Sequence, residues 1–152
     1  MSETTFDWMN FFVSSIDAIH ERLAVVVTAT GCREGWLQGE LFLAGRRYDL
    51  RVNECQLGNH RKADLSCGNP VKMIAEIKIV SGGFFPKMRY AIDVDVERMR
   101  EVTIPDAERY MILVIPQYDI KTTLGDYLDS CSFSSTCVDR KWPGFRLKIW
   151  RF

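Results

Sequence analysis

"RKADLSCGNPVKMIAEIKIV", residues 61–80, holds two apolar runs of strand length separated by turn residues. "KADLSC" (62–67) is too short for a helix, "GNP" is a tight turn, and "VKMIAEIKIV" (71–80) is a longer, more apolar strand. In a strand, side chains two apart share a face, so Glu76 and Lys78 point one way while Ala75, Ile77 and Ile79 point the other. Asp64 stands twelve positions ahead of Glu76, and pairing across the turn would set its carboxylate beside that of Glu76. Strands that only pack have no use for Asp64, Glu76 and Lys78 there. Either the three lie at a solvated edge, where a Glu-x-Lys is commonplace, or they do chemistry.

Working outward, the fold class emerges. "RYDLRVNECQ" (47–56) alternates Tyr48, Leu50 and Val52 with Asp49, Arg51 and Asn53, the pattern of a half-buried strand, and "LGNH" after it is turn chemistry. Three strands joined by short turns predict an antiparallel meander. Before them, "REGWLQGELFLAG" (33–45) reads as a helix with Leu37, Leu41 and Ala44 on one side, Glu34 and Gln38 one turn apart on another, and Gly45 to end it. After them, "YAIDVDVERMREV" (90–102) fits a helix through Ile92, Val96, Met99 and Val102. "RYMILVIP" (109–116) is apolar almost throughout, as in a strand covered on both faces, and a helical crossover lets it lie parallel to the 71–80 strand. "FDWMNFFVSSIDAIHERL" (6–23) predicts an added N-terminal helix with one apolar stripe, and "AVVVTAT" beyond it is compatible with helix or strand. "TTLGDYLDSCSF" is a weaker helix and "FRLKIWRF" a final strand. Without a repeat, low-complexity segment or linker, residues 1–152 are expected to form a single α/β domain with a mixed sheet.

Composition narrows the function classes. With 47% apolar and 26% charged residues the chain has a globular composition, long enough to bury a core without staples. No apolar run approaches the ~20 residues of a membrane span, and "MSETTFDW" lacks the basic start and apolar stretch of a secretory signal. No membrane partner is expected. Five cysteines without a CxxC pair, and only His20 and His60 to join them, exclude a zinc-ligand spacing and read as reduced, mostly buried thiols of a cytoplasmic protein. A formal net charge of zero argues against a protein that simply coats nucleic acid. The charge is uneven, however. Arg46, Arg47, Arg51, Arg61 and Lys62 crowd one segment, and residues 140–152 hold Arg140, Lys141, Arg146, Lys148 and Arg151 with no acid.

Two carboxylates on one face repel unless something positive lies between them. A hard divalent cation answers that need, since Mg²⁺ takes one or two carboxylates and leaves positions for water and phosphate oxygens. An adjacent ammonium can orient the attacking water or offset charge growing on the phosphate. Asp64, Glu76 and Lys78 on one sheet face are therefore suited to metal-assisted phosphodiester hydrolysis.

The order "KAD", eleven residues, then "EIK" resembles the motif of the PD-(D/E)xK nucleases, the restriction-endonuclease-like superfamily. The resemblance spans roughly residues 32–117: a helix bearing glutamates, a strand ending in an acid ("RVNEC"), the Asp strand, the ExK strand, a helix and an apolar strand, which is that superfamily's αβββαβ core order. Ala63 stands where the motif name has proline, a position that varies. The resemblance implies a nuclease dependent on Mg²⁺ (or Mn²⁺), in which Asp64 and Glu76 bind the metal and Lys78 assists the water. It also implies a helix glutamate in the metal shell, Glu34 or Glu40 with Glu40 preferred, and Glu54 as a further candidate. The implied partner is nucleic acid, DNA before RNA, with targeting left to a partner protein or to a homodimer through the N-terminal helix. The rival expectation is an inactive nuclease-fold protein acting as a binding, assembly or inhibitor subunit.

Other features carry less. "DRKWPGFRLKIWRF" interleaves bases and aromatics as a single-strand-binding segment can, but reads first as an edge strand guarded by its charges. His20 is placed at the core rim and His60 in a solvated turn. "SGGFF" lacks the Lys-Ser/Thr of a nucleotide-binding loop, and "SCSFSSTC" has no histidine near it.

Overall fold

A six-stranded sheet carries the molecule, with helices on both of its faces. The computed structural model describes residues 5–58, 61–80, 85–117, 123–130, 133 and 136–152. The strands of this sheet are β1 (Leu50–Val52), β4 (Leu65–Cys67), β5 (Met73–Ile79), β6 (Glu108–Pro116), β8 (Phe145–Arg151) and β7 (Thr136–Trp142), in that order across it. A separate small hairpin, β2 (Gln56–Gly58) and β3 (Arg61–Lys62), is inserted between β1 and β4. β1, β4 and β5 run antiparallel, β5 and β6 parallel, and β6, β8 and β7 antiparallel. The sheet is therefore mixed, and the meander and the parallel crossover follow the sequence reading.

Alternation along the strands builds an apolar core on each face of the sheet. Met73, Ala75, Ile77 and Ile79 of β5, with Tyr110, Ile112 and Val114 of β6, face α1 (Trp8–Ala18), α2 (His20–Val26) and α3 (Arg33–Gly45). Leu37 and Leu41, both 0% exposed, anchor α3 there; a fully buried leucine contributes about 1.5–3 kcal/mol. On the other face Met111, Leu113 and Ile115 meet α4 (Phe85–Glu101) and α5 (Thr123–Ser130) through Ile92, Val96 and Leu128.

The register between β4 and β5 depends on the turn joining them. Gly68 sits at φ +87°, and a Cβ there would stand 2.9 Å from the Pro70 carbonyl oxygen. Glycine is required on both counts. Gly68→Ala is expected to lower stability by about 1–3 kcal/mol, measured as a drop in the urea midpoint.

Several expectations are corrected. The N-terminal helix breaks at Ile19, whose N–H turns back to the carbonyls of Ile16 and Asp17, while His20 Nδ1 lies 2.6 Å from the Asp17 oxygen. The spacing predicts a stripe of Phe6, Met9, Val13, Ile16, His20 and Leu23; the helix instead buries Trp8, Phe12 and Ile16 against the sheet, with Leu23 buried on α2 and Phe6, Met9, Val13 and His20 only partly covered. The "RYDLRVNECQ" strand is only three residues long, because Asn53 (φ +53°) turns the chain into the hairpin. The C-terminal strand β8 is interior, between β6 and β7. The edge on that side is β7, which sequence reasoning missed because Thr136–Trp142 is mostly exposed and offers no apolar alternation. The basic tail is not without acids either: Arg146 pairs with Asp129 and Asp139, and Lys148, 6% exposed, donates to the Leu128 carbonyl at 2.9 Å. Of the described cysteines only Cys67 is buried; Cys55 is intermediate and Cys32 and Cys137 are exposed, all as free thiols. His60, most of "SGGFF" and much of "SCSFSSTC" lie outside the described residues. Among the described residues no helix is long and apolar enough to cross a membrane.

Candidate active site

The site forms where β4 stops and β5 continues. β4 pairs with β5 only at Leu65↔Ala75, Ser66↔Ile74 and Cys67↔Met73. Beyond Ala75 that edge of β5 has no strand partner among the described residues, and its backbone N–H groups need acceptors. Asp64 Oδ2 accepts from the Ile77 N–H at 2.8 Å, and Glu34 Oε1 accepts from the Ile79 N–H at 3.1 Å. Gln38, one turn beyond Glu34 on α3, donates its Nε2 to Asp64 Oδ1 at 2.7 Å. Side chains thus finish a ladder that β4 leaves incomplete.

The same register carried one residue past Leu65↔Ala75 sets Asp64 opposite Glu76, and their carboxyl groups share a hydrogen bond. Glu76 is 5% exposed. Burial, then the Asp64 charge and the shared hydrogen bond, then Asp95 push the Glu76 carboxyl up from 4.5 to about 9, with Lys78 opposing. A divalent cation between Asp64 and Glu76 would reverse that balance by favouring both charged forms.

Lys78 projects on the Glu76 side of β5. Its Nζ lies 3.2 Å from Asp95 Oδ2 and 3.9 Å from Glu34 Oε1. Burial works against the ammonium, but Asp95 and then Glu34 outweigh it and hold its pKa above the ordinary lysine value. Arg98 completes the group, 3.1 Å from Asp95 Oδ1 and a longer 3.5 Å from Glu76 Oε1. Beside Arg98 open two cavities of about 320 and 450 Å³, each also lined by Arg61 and Glu101. Arg61 of the basic segment therefore borders this region.

Asp64, Glu76 and Lys78 come together as the strand pattern and the turn required. Of the helix glutamates it is Glu34 that approaches, and Glu40 does not. At 100° per residue, Glu34 and Gln38 share a face of α3, while Glu40, six residues from Glu34, is rotated well round the helix. There the Glu40 carboxylate accepts a hydrogen bond from each terminal guanidinium nitrogen of Arg22 at 3.1 Å, and Arg22 lies over Trp36. Glu54 is also off the site, exposed and 3.7 Å from Arg51. Sequence reasoning missed Asp95 and Arg98 as site residues. Their signal was present: Asp95, three residues after Ile92 and one before Val96, is an acid on the apolar stripe of its helix.

Among the described residues no group of three or more His, Cys, Asp and Glu side chains is arranged to hold a metal ion. What converges is a pair of carboxylates with an ammonium beside it. No protein-family model, curated protein or solved structure matches this chain significantly. A reading of the site rests on its own geometry.

Proposed function

We propose that the chain is a restriction-endonuclease-like protein of the PD-(D/E)xK type that hydrolyses phosphodiester bonds in DNA with Mg²⁺ or Mn²⁺. The observation that carries this reading is the contact of Asp64 with Glu76, on the face of β5 from which Lys78 also projects, where the end of β4 leaves β5 unpaired. The succession α3, β1, β4, β5, α4, β6, with β6 parallel to β5, supports the αβββαβ assignment.

The donor set suits the metal. Asp64 and Glu76 offer hard carboxylate oxygens, and Mg²⁺ is commonly held by one or two carboxylates with water and phosphate oxygens filling the rest. When bound, the ion supplies Lewis-acid stabilisation of the phosphate and lowers the pKa of a water molecule. The chain's own groups do the remainder. Asp64 is held rigid from two sides, by the Ile77 N–H and by Gln38, so it presents a fixed geometry. Lys78, kept as an ammonium, donates hydrogen bonds to the attacking water or to a phosphate oxygen and offsets charge developing there. Arg61, which lines the same cavities as Arg98, would meet the backbone of a bound strand. Free thiols at Cys32, Cys55, Cys67 and Cys137 accord with a reducing, cytoplasmic setting.

The test is cleavage of plasmid and single-stranded DNA by wild type, Asp64→Ala and Lys78→Ala, with Mg²⁺, Mn²⁺ or EDTA. Cutting that needs the metal and disappears in both variants is the expected result. One observation favours the second reading, a binding or assembly subunit without catalysis: Asp64 and Glu34 each cap a backbone N–H of β5, a structural task that would retain them in an inactive protein. DNA binding without cutting by wild type would establish that reading instead.

A further inference from the structure

α4 turns Ile92, Val96 and Met99 toward the sheet, and one residue within that buried stripe breaks the pattern. Asp95 is only 8% exposed. A carboxylate there is costly unless it is paired, and its two oxygens divide between two cations. Oδ2 lies 3.2 Å from Lys78 Nζ and Oδ1 lies 3.1 Å from Arg98 Nη1. Arg98 reaches back to Glu76 Oε1 at 3.5 Å. Three charged groups of alternating sign, Lys78, Asp95 and Arg98, thus run from strand to helix, and Arg98 returns to the strand at the Glu76 carboxyl.

A lysine is a point charge on a flexible four-carbon stem, so its usefulness at a reacting centre depends on what fixes its head. Two acids approach Lys78. Glu34 stands at 3.9 Å, its side chain 41% exposed and its Oε1 already accepting the Ile79 N–H. The Asp95 side chain is closer, 12% exposed, and anchored on a seventeen-residue helix packed against the sheet.

We propose that Asp95 is a positioning residue of the nuclease site: it holds the Lys78 ammonium beside the Asp64–Glu76 pair, while Arg98 balances the Asp95 charge. The proposal rests on the nuclease reading and extends it to α4, which contributes nothing to the D…ExK motif. Asp95 touches neither substrate nor metal in this scheme and acts only through Lys78.

Two measurements test it. In the metal-free protein, a double-mutant cycle combines Asp95→Asn with Lys78→Met, read as urea midpoints; the double variant is expected to lose clearly less than the sum of the single losses. In the cleavage assay at saturating Mg²⁺, Asp95→Asn is expected to lower kcat about 30–100-fold with KM for DNA within about threefold, and Asp95→Glu to recover part of the loss. The KM split and the glutamate rescue separate positioning from a general loss of structure. Should Asp95→Asn fail to fold, Asp95→Leu, which fills the position with an apolar side chain, replaces it in both measurements. Additive losses in the cycle, or a variant that cuts as fast as wild type, would overturn the proposal. A wild type that does not cut at all, with the cycle still non-additive, overturns the nuclease reading instead and leaves Asp95 and Lys78 as a structural ion pair.

Discussion

Asp64→Asn is expected to lower the metal-dependent cleavage rate by about 10³-fold or more, equivalent to ~4 kcal/mol at 1.36 kcal/mol per decade, with little change in fold. Asparagine keeps the shape of the side chain and one acceptor oxygen. That oxygen can still receive the Ile77 N–H, and Gln38 can rotate its amide to offer its own oxygen to the new Nδ2. What is lost is the negative charge and one of the two oxygens available to a cation. Alanine differs in an informative way. It leaves the Ile77 N–H and the Gln38 amide without their partner, which costs about 1–3 kcal/mol for each group that water does not reach. Circular dichroism and urea midpoints beside initial rates distinguish the two variants: the asparagine protein should melt near wild type and fail to cut, and the alanine protein should fail on both counts. An asparagine variant with wild-type rates in Mg²⁺ would remove Asp64 from any catalytic role.

The second large effect is on stability and runs the opposite way to activity. Burial first, then the Asp64 charge, pushes the Glu76 carboxyl of the folded metal-free protein up from an ordinary 4.5 to about 9. A carboxyl whose folded pKa is raised binds more protons folded than unfolded between those two values. Stability therefore falls as the pH rises through that window, and the dependence ends above about 9. Glu76→Gln abolishes this titration while its Nε2 can still donate to Asp64, as the protonated carboxyl does. In EDTA at pH 8, the glutamine variant is expected to be more stable than wild type by about 2–4 kcal/mol, and to be nearly equal to it at pH 5. Adding Mg²⁺ reverses the comparison. An ion present at 100 times its Kd stabilises the wild type by about 2.7 kcal/mol, and the glutamine variant should gain little. Urea unfolding at the two pH values, with EDTA and with Mg²⁺, measures all four quantities. Equal stability of both proteins at pH 8 in EDTA would mean that Glu76 is not strained by its surroundings. A glutamine variant that also cuts DNA would remove Glu76 from the site altogether. A residue that costs stability in the protein alone and is relieved by a ligand is better explained by function than by packing.

Much of this arrangement could be read from local pattern. The alternation in "AEIKI" places Glu76 and Lys78 together, and the short connection through "GNP" leaves few registers in which Asp64 could pair anywhere but near Glu76. The long apolar run of β6 foretold a strand buried on both faces, and the helix before it foretold the parallel pairing with β5. Where the reading failed, the deciding information was not local. β7 has a solvated pattern, and only its pairing to β8 makes it a strand. The basic tail finds its acids in Asp129 of α5 and Asp139 of β7.

By itself the sequence determined the faces: period two on β5 and a tight turn before it bring two acids and an amine toward one point, whatever the rest of the chain does. Only the tertiary structure decided which further groups join them. The rotation of α3 against the sheet brings Glu34 and Gln38 to the site and turns Glu40 toward Arg22, and the packing of α4 delivers Asp95 and Arg98. A helix turns by 100° per residue, so the side it presents is set by the surface it packs on and not by the spacing of its own acids.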